Sequence, residues 1–236
     1  MRPFTLTART LFACMMVAIL SSCEDRQTSD LVLQDRIFTQ YELSFDPGLD
    51  QTTAVAKFSI GSASGDGLEL GGNSEITFNG SLLTLGTDPI TSEPIYETTF
   101  DGLISGGTFL FQDTEGNQYS NTVSMKSVDF IQTPSNINRS EDLTIEWTGG
   151  ELGASEEMTV DFLLAGSSVS NNPTFVTDEI GATSITISSS DLLSLDPDTY
   201  TMSLDRWARP TPTETPAAGG AILLHYQAEP LVVDLD

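Results

Sequence analysis

From Tyr41 onward, apolar and polar residues alternate with a period of two, in short runs cut by turn residues. Tyr41, Leu43 and Phe45 alternate with Glu42 and Ser44, and Ala54, Ala56, Phe58 and Ile60 with Val55, Lys57 and Ser59. Residues two apart share one face of a strand, whereas a buried helix face needs a spacing of 3.6. Ile76 and Phe78 lead into Asn79-Gly80, followed by Leu82, Leu83 and Leu85. Asn and Gly both tolerate the positive φ of a type I′ turn, so this pair predicts a hairpin. Further runs span Tyr96–Phe100, Thr108–Phe111 and Tyr119–Met125, the last two separated by the polar turn Asp113–Asn117. The second half repeats the rhythm at Leu143, Ile145, Trp147, at Met158, Val160, Phe162, Leu164, at Ile185, Ile187, and at Tyr200, Met202, Leu204. It closes with Ile222, Leu224, Tyr226, Ala228 and a last strand around Leu231–Leu235. No long amphipathic helix breaks the pattern, and the expected fold class is all-β.

A chain that is 39% apolar and 18% charged can bury a core and is not globally disordered. The polar stretch Ile131–Glu141, which carries Pro134, divides the strands into two sets. Each set is near the ~100 residues of a small sandwich, so the expectation is two tandem antiparallel β-sandwiches, residues 31–132 and 133–236. The formal charge is −25, with Lys57 and Lys126 as the only lysines. That field repels nucleic acid, and with no basic patch to offset it a nucleic-acid partner is set aside. An acidic, lysine-poor surface suits a saline habitat, although a simply acidic surface accounts for it equally.

The amino end has a different character. Arg2 and Arg9 bracket a basic start, Leu11–Leu20 is an unbroken apolar run, and Leu20-Ser21-Ser22-Cys23 follows. This is the layout of a cleaved secretory signal over residues 1–22, too short to span a bilayer. Its end resembles the bacterial lipobox. The resemblance implies that Cys23 becomes the acylated first residue of the mature chain, and more than one acyl chain is what stable anchoring requires. The Glu24-Asp25 pair resembles the export signals of some Bacteroidota surface lipoproteins, which implies the outer membrane, at its periplasmic face or the cell surface. Residues 23–30 then read as the lipidated Cys and a polar tether. Cys14 lies in the cleaved segment and Cys23 carries lipid, so no thiol remains for a disulfide, a nucleophile or a metal site.

Two segments of the second half carry another resemblance. Asp142–Trp147 (DLTIEW) resembles the strand that brings a core Trp into fibronectin type III and immunoglobulin-like domains, and Leu195–Leu204 (LDPDTYTMSL) resembles their tyrosine corner. The likeness implies that Trp147 is core, and that Tyr200 bonds back across the preceding turn with Leu195 packed beneath it. Paired cysteines are absent, as in the fibronectin-like branch. The layout as a whole resembles that of Bacteroidota lipoproteins with tandem sandwich domains. No activity travels with that likeness, because one fold hosts many functions.

Chemistry-bearing residues are few. His225, the one histidine, falls out of phase with Leu224 and Tyr226 and so faces away from the core. Gly61–Gly65 has Ala63 where a nucleophile elbow needs Ser. The loops Asp46–Asp50, Asp113–Asn117 and Asp196–Asp198 would suit Ca2+ best among ions. None has EF-hand spacing, and Asx turns account for all three. Trp207 is out of phase with Tyr200, Met202 and Leu204 and opens the segment Arg206-Trp207-Ala208-Arg209-Pro210, which continues through Pro212 and Pro216 to Gly219-Gly220. Trp207, Arg206 and Arg209 are therefore the candidate binding residues, fit to stack a ring, grip a carboxylate or dock a protein, the alternative being that Trp207 caps the end of the sandwich and the arginines pair with nearby acids. No catalytic residue, metal site or cofactor is expected. The expected function is that of a membrane-anchored, non-catalytic envelope lipoprotein with a binding, structural or adhesive role toward another envelope protein. The alternatives are a glycan-binding accessory lipoprotein of an outer-membrane uptake system and an enzyme with a carboxylate site.

Overall fold

A computed structural model describes residues 27–165 and 173–236, so the expected signal segment and the lipidation site Cys23 lie outside the described residues. The chain is all-β, as its alternation predicts. The first strands are β1 (Ile37–Asp46), β2 (Gln51–Ile60), β3 (Glu75–Phe78), β4 (Ser81–Leu82), β5 (Thr84–Thr87), β6 (Pro94–Asp101), β7 (Gly106–Gln112) and β8 (Gln118–Ser124). Then come β9 (Asn136–Ile137), β10 (Leu143–Glu146), β11 (Glu156–Leu164), β12 (Thr174–Thr177), β13 (Ser184–Ile187), β14 (Thr199–Ala208), β15 (Gly220–Gln227) and β16 (Leu231–Leu235). The hairpin between β3 and β4 turns on Asn79 (φ 51°) and Gly80 (φ 79°), the left-handed pair that the Asn-Gly signal requires.

Two cores form between facing sheets. In the first, β1, β2 and β6 lie over the four-stranded sheet β4-β3-β7-β8, and rings meet across the gap. Tyr41 stacks on Phe109 at 4.9 Å and Phe58 meets Phe111 at 4.7 Å. In the second, β11 and β14 lie over the β10-β13 pair, burying Trp147, Ile145, Phe162, Met202 and Leu204. Trp147 is 3% exposed and its indole N–H donates to Gly150 O at 3.2 Å. The Tyr200 hydroxyl donates to Asp196 O at 3.1 Å above buried Leu195, which is the corner geometry its motif implies.

The cores do not divide at residue 132. One ten-stranded sheet runs through both, in the order β12-β11-β14-β15-β1-β2-β6-β5, with β16 pairing β14 off this path and β9 pairing β16. Strand β15 is the joint. Its later half pairs antiparallel with β14, Leu224 opposite Ala208 through Gln227 opposite Asp205. Its whole length pairs parallel with β1, Gly220 opposite Thr39 through Tyr226 opposite Phe45. Ile222 and Leu224 therefore belong to the first core, Ala228 to the second, and Tyr226 packs against both. Val128 and Phe130, expected in the first unit, lie in the second core. Strand β15 ends at Gln227 and, past Pro230, which supplies no ladder donor, the separate last strand expected from sequence follows as β16.

The amino end of the described chain also differs from expectation. Residues 27–30 are not tether: Ser29 is fully buried, its N–H donates to Glu69 O at 2.7 Å, and Gln34 Nε2 donates to Ser29 O at 2.7 Å.

Because β15 serves both cores, truncating it should weaken both. Ile222→Ala should cost about 2–5 kcal/mol, the usual range for a buried aliphatic. Calorimetry should show one endotherm at a lower temperature. A second endotherm left at the wild-type position would mean that the second core folds independently.

Candidate functional site

The outer face of the shared sheet carries the polar and half-buried residues of β14, β15, β1 and β2, and the register sets them in rows. One row runs Trp207, His225, Ser44, Thr53. The next runs Leu223, Glu42, Val55, and the third Ala221, Gln40, Lys57. The segment between β14 and β15 rises over the last two rows and closes a cleft of about 430 Å³. Val55, Ala221 and Leu223 form its apolar floor, Pro210 and Pro212 its wall, and Lys57, Arg209 and Glu42 its polar rim.

The wall is held from both ends and in the middle. Arg209 N donates to Ser155 O at 2.8 Å where the segment leaves β14, and Ala218 N to Asp35 O at 2.8 Å where it returns. Between them Asn121 of β8, 1% exposed, takes Thr213 N and Glu214 N on Oδ1 (2.8 and 3.2 Å) and donates Nδ2 to Glu214 O at 2.8 Å. The Glu214 carboxylate accepts Ser120 N at 2.7 Å. The last of these occupies an edge-strand N–H that would otherwise be open to pairing, while Pro210, Pro212 and Pro216 narrow the unfolded alternatives. The return needs glycine twice. Gly219 has φ 94°, and a Cβ on Gly220 would lie 2.5 Å from Thr39 Oγ1, so only glycine lets β15 approach β1 there. Asn121 and Glu214 carry no sequence motif. Their partners lie more than ninety residues away, so local pattern could not find them.

The three candidate residues have three different fates. Arg206 is not a binding residue, which corrects the expectation from sequence. It lies inside β14, in phase with Met202 and Leu204, and is 3% exposed. Its guanidinium donates to Gly149 O (3.0 Å), Gly150 O (3.3 Å), Glu151 O (2.8 Å) and the Glu156 carboxylate (2.6 Å). Trp207 also lies on the strand rather than in a loop. It faces outward, and its ring stacks on His225 at 3.7 Å with an interplanar angle of 4°. The imidazole Nε2 in turn bonds Asp205 Oδ1 at 2.7 Å. Ser203 donates to the other oxygen of Asp205 at 2.9 Å, so this hydroxyl serves the carboxylate rather than the imidazole. Arg209 alone stands at the cleft rim, half-exposed and paired with Glu157 at 3.0 Å. Opposite it, Lys57 holds Asp88 at 2.6 Å, and that ammonium keeps the Asp88 carboxyl well below the usual carboxylate range.

The carboxylates of the expected ion loops are engaged by their own backbones. Asp46 Oδ1 accepts Gly48 N and Leu49 N, Asp113 accepts Glu115 N and Asn117 N, and Asp198 accepts Thr199 N. Among the described residues no three His, Cys, Asp or Glu side chains converge on a point that could hold an ion. Every described aromatic residue is buried or half-buried.

No family model and no curated protein matches the chain. Among solved structures it is similar to the FN1–FN3 domains of chicken CNTN1, at 11% identity and TM-score 0.27, covering 83% of this chain and 65% of that one. It is also similar to SGBP-B of the Bacteroides ovatus mixed-linkage glucan utilization locus, solved with a mixed-linkage heptasaccharide, at 14% identity and TM-score 0.22, covering 86% and 60%. The chain thus spans less than two thirds of the length of either. Both likenesses are too loose to speak to ligand or activity.

Truncating the two arginines should separate their roles. Arg206→Ala removes the buried partner of Glu156 and a donor from three carbonyls, and should cost about 3–5 kcal/mol, as when one partner of a buried pair is removed. Arg209→Ala breaks a surface pair and should change stability by no more than about 1 kcal/mol. Urea denaturation measures both, and equal losses would mean that Arg209 is structural too.

Glu156 adds an acid dependence. Burial would raise its pKa, but the Arg206 guanidinium, the Gly153 N–H and the Lys126 ammonium together hold it below the ordinary 4.5. The stability it contributes is therefore fully present above that value and is lost as pH falls through the lowered one. Glu156→Gln should lower stability at neutral pH and flatten the acid limb of the stability curve. An unchanged acid limb would show that other carboxylates set it.

Proposed function

We propose that this protein is a non-catalytic binding component of a bacterial cell envelope, anchored at the outer membrane through acylated Cys23, with the sheet-face cleft as its recognition surface. The observation that carries the reading is the cleft itself, a concavity whose proline-rich wall is already fixed by hydrogen bonds to β8 and to Asp35. A preformed wall spares a partner the entropy of ordering it. The cleft offers aliphatic side chains and the half-exposed Glu42, on a chain of net charge −25. That suits an extended segment of another envelope protein carrying an aliphatic residue and a cation. The partly covered rings, with Trp207 and His225 turned onto each other, weigh against sugar stacking.

Two measurements test this. Mass spectrometry of the protein from native membranes should find Cys23 as the amino-terminal residue carrying acyl chains, and an uncut amino end would defeat the anchoring. Pull-down from those membranes with the intact protein should recover a partner that Leu223→Arg or Ala221→Arg fails to recover, with melting temperature nearly unchanged. Recovery by both variants would rule out the cleft as the recognition surface.

A further inference from the structure

We infer that the end of the first core bearing Leu31, Leu33 and Ile90 seats directly on the lipid surface, so that the second core is held at the far end, away from the membrane. The inference rests on the acylation of Cys23. Gln27 is already fastened to the body, since its carbonyl accepts Glu69 N at 3.0 Å. Only Glu24, Asp25 and Arg26 separate it from Cys23. At 3.3–3.6 Å per residue, the four steps from Cys23 to Gln27 reach at most roughly 14 Å. Whatever stands near Gln27 is therefore brought against the bilayer interface.

What stands there is apolar and exposed. Leu31 is 77% and Leu33 73% exposed, and Val32 between them packs on the first core, so the two leucines point outward from a fixed segment. Leu31 N donates to Thr28 O at 3.0 Å and Arg36 N to Leu33 O at 2.9 Å, which holds both positions. Ile90, 91% exposed, joins them at the same end of the sheet. The register places it there: Ile37 opens β1 opposite Ile60, which closes β2, and the loop holding Ile90 links the end of β5 to the start of β6 beside them. Strand β15 starts at this end opposite Thr39 and runs parallel to β1 toward Phe45, after which Ala228 enters the second core. The order along the sheet is thus anchor, first core, second core.

Charge selects the kind of lipid. Asp30 and Asp35 flank the leucines, with Arg36 the one cation beside them among the described residues, and Glu93 and Glu115 lie in loops at the same end. A surface so acidic is repelled by anionic headgroups, so the occupant is a zwitterionic lipid face into which the aliphatic side chains dip.

The test uses the intact lipoprotein in phosphatidylcholine vesicles containing lipid brominated on its acyl chains, with the mass of the same preparation read to verify acylation. Leu33→Trp and Val232→Trp both replace exposed residues, the second being a 68% exposed position on the distal core. With Cys23 acylated, the tryptophan added at Leu33 should shift to the blue and be quenched by the bromolipid, and the one at Val232 should not. Equal behaviour of the two in acylated protein overturns the seating while leaving the anchor intact. An unacylated Cys23 defeats the anchor, and the seating falls with it. Stronger quenching after phosphatidylglycerol is mixed in would overturn the zwitterionic assignment.

Discussion

The two-sided pairing of β15 is the constraint on which the rest of this molecule depends. A strand has two edges, and β15 gives one to β14 and the other to β1. Parallel pairing needs a long connection, and here the connection runs from Asp46 to Gly220, most of the chain. The result is that neither core is finished until the last strands are in place: the first core lacks Ile222 and Leu224 before then, and the second lacks Ala228. No cysteine occurs among the described residues to cross-link the chain, and this shared strand is what ties the two modest cores together.

The same joint positions every candidate site. The outer rows that form the cleft exist because β14, β15, β1 and β2 are neighbours in one sheet, and the wall over them exists because β14 and β15 part company after Ala208 and Leu224. Arg206 sits near the point of parting. Its guanidinium collects the carbonyls of Gly149, Gly150 and Glu151 together with Glu156, tying the segment between β10 and β11 to the strand that leads into the wall. The stacked Trp207–His225 pair lies across the β14–β15 seam on the opposite face.

How much of this could be read from the residues depended on range. Period-two alternation placed the strands, Asn79-Gly80 the hairpin and Leu195–Tyr200 the corner, because each is a local geometric demand made within a few residues. Trp207 was legible as an outward residue from its phase. Arg206 was misjudged although its phase with Met202 and Leu204 pointed inward, because a charge in that position looks like surface until its acceptors, some fifty residues earlier, are known. The allegiance of Ile222 and Leu224 to the first core had no local signal at all: alternation shows that a strand buries one face, not against which partner. The hold of Asn121 on Glu214 was invisible for the same reason.

The protection of the β8 edge and the shape of the cleft are consequently hard to separate in this fold. An open edge such as β8 invites pairing with other chains, and the segment from Arg209 to Gly219 covers it with Asn121 and Glu214 bonds. To reach that edge and still deliver β15 to β1, the segment must arch over the outer face of the sheet, and the arch is what creates the concavity. Its prolines fit both tasks, since a wall without free N–H groups at Pro210, Pro212 and Pro216 neither pairs with the floor nor collapses onto it. A change that loosened the wall would therefore open the β8 edge and deform the cleft together. Substitutions on the floor, at Ala221 or Leu223, or of the exposed Arg209 side chain at the rim, touch the cleft without touching the edge, and there the cleft can be altered while the scaffold stays as it is.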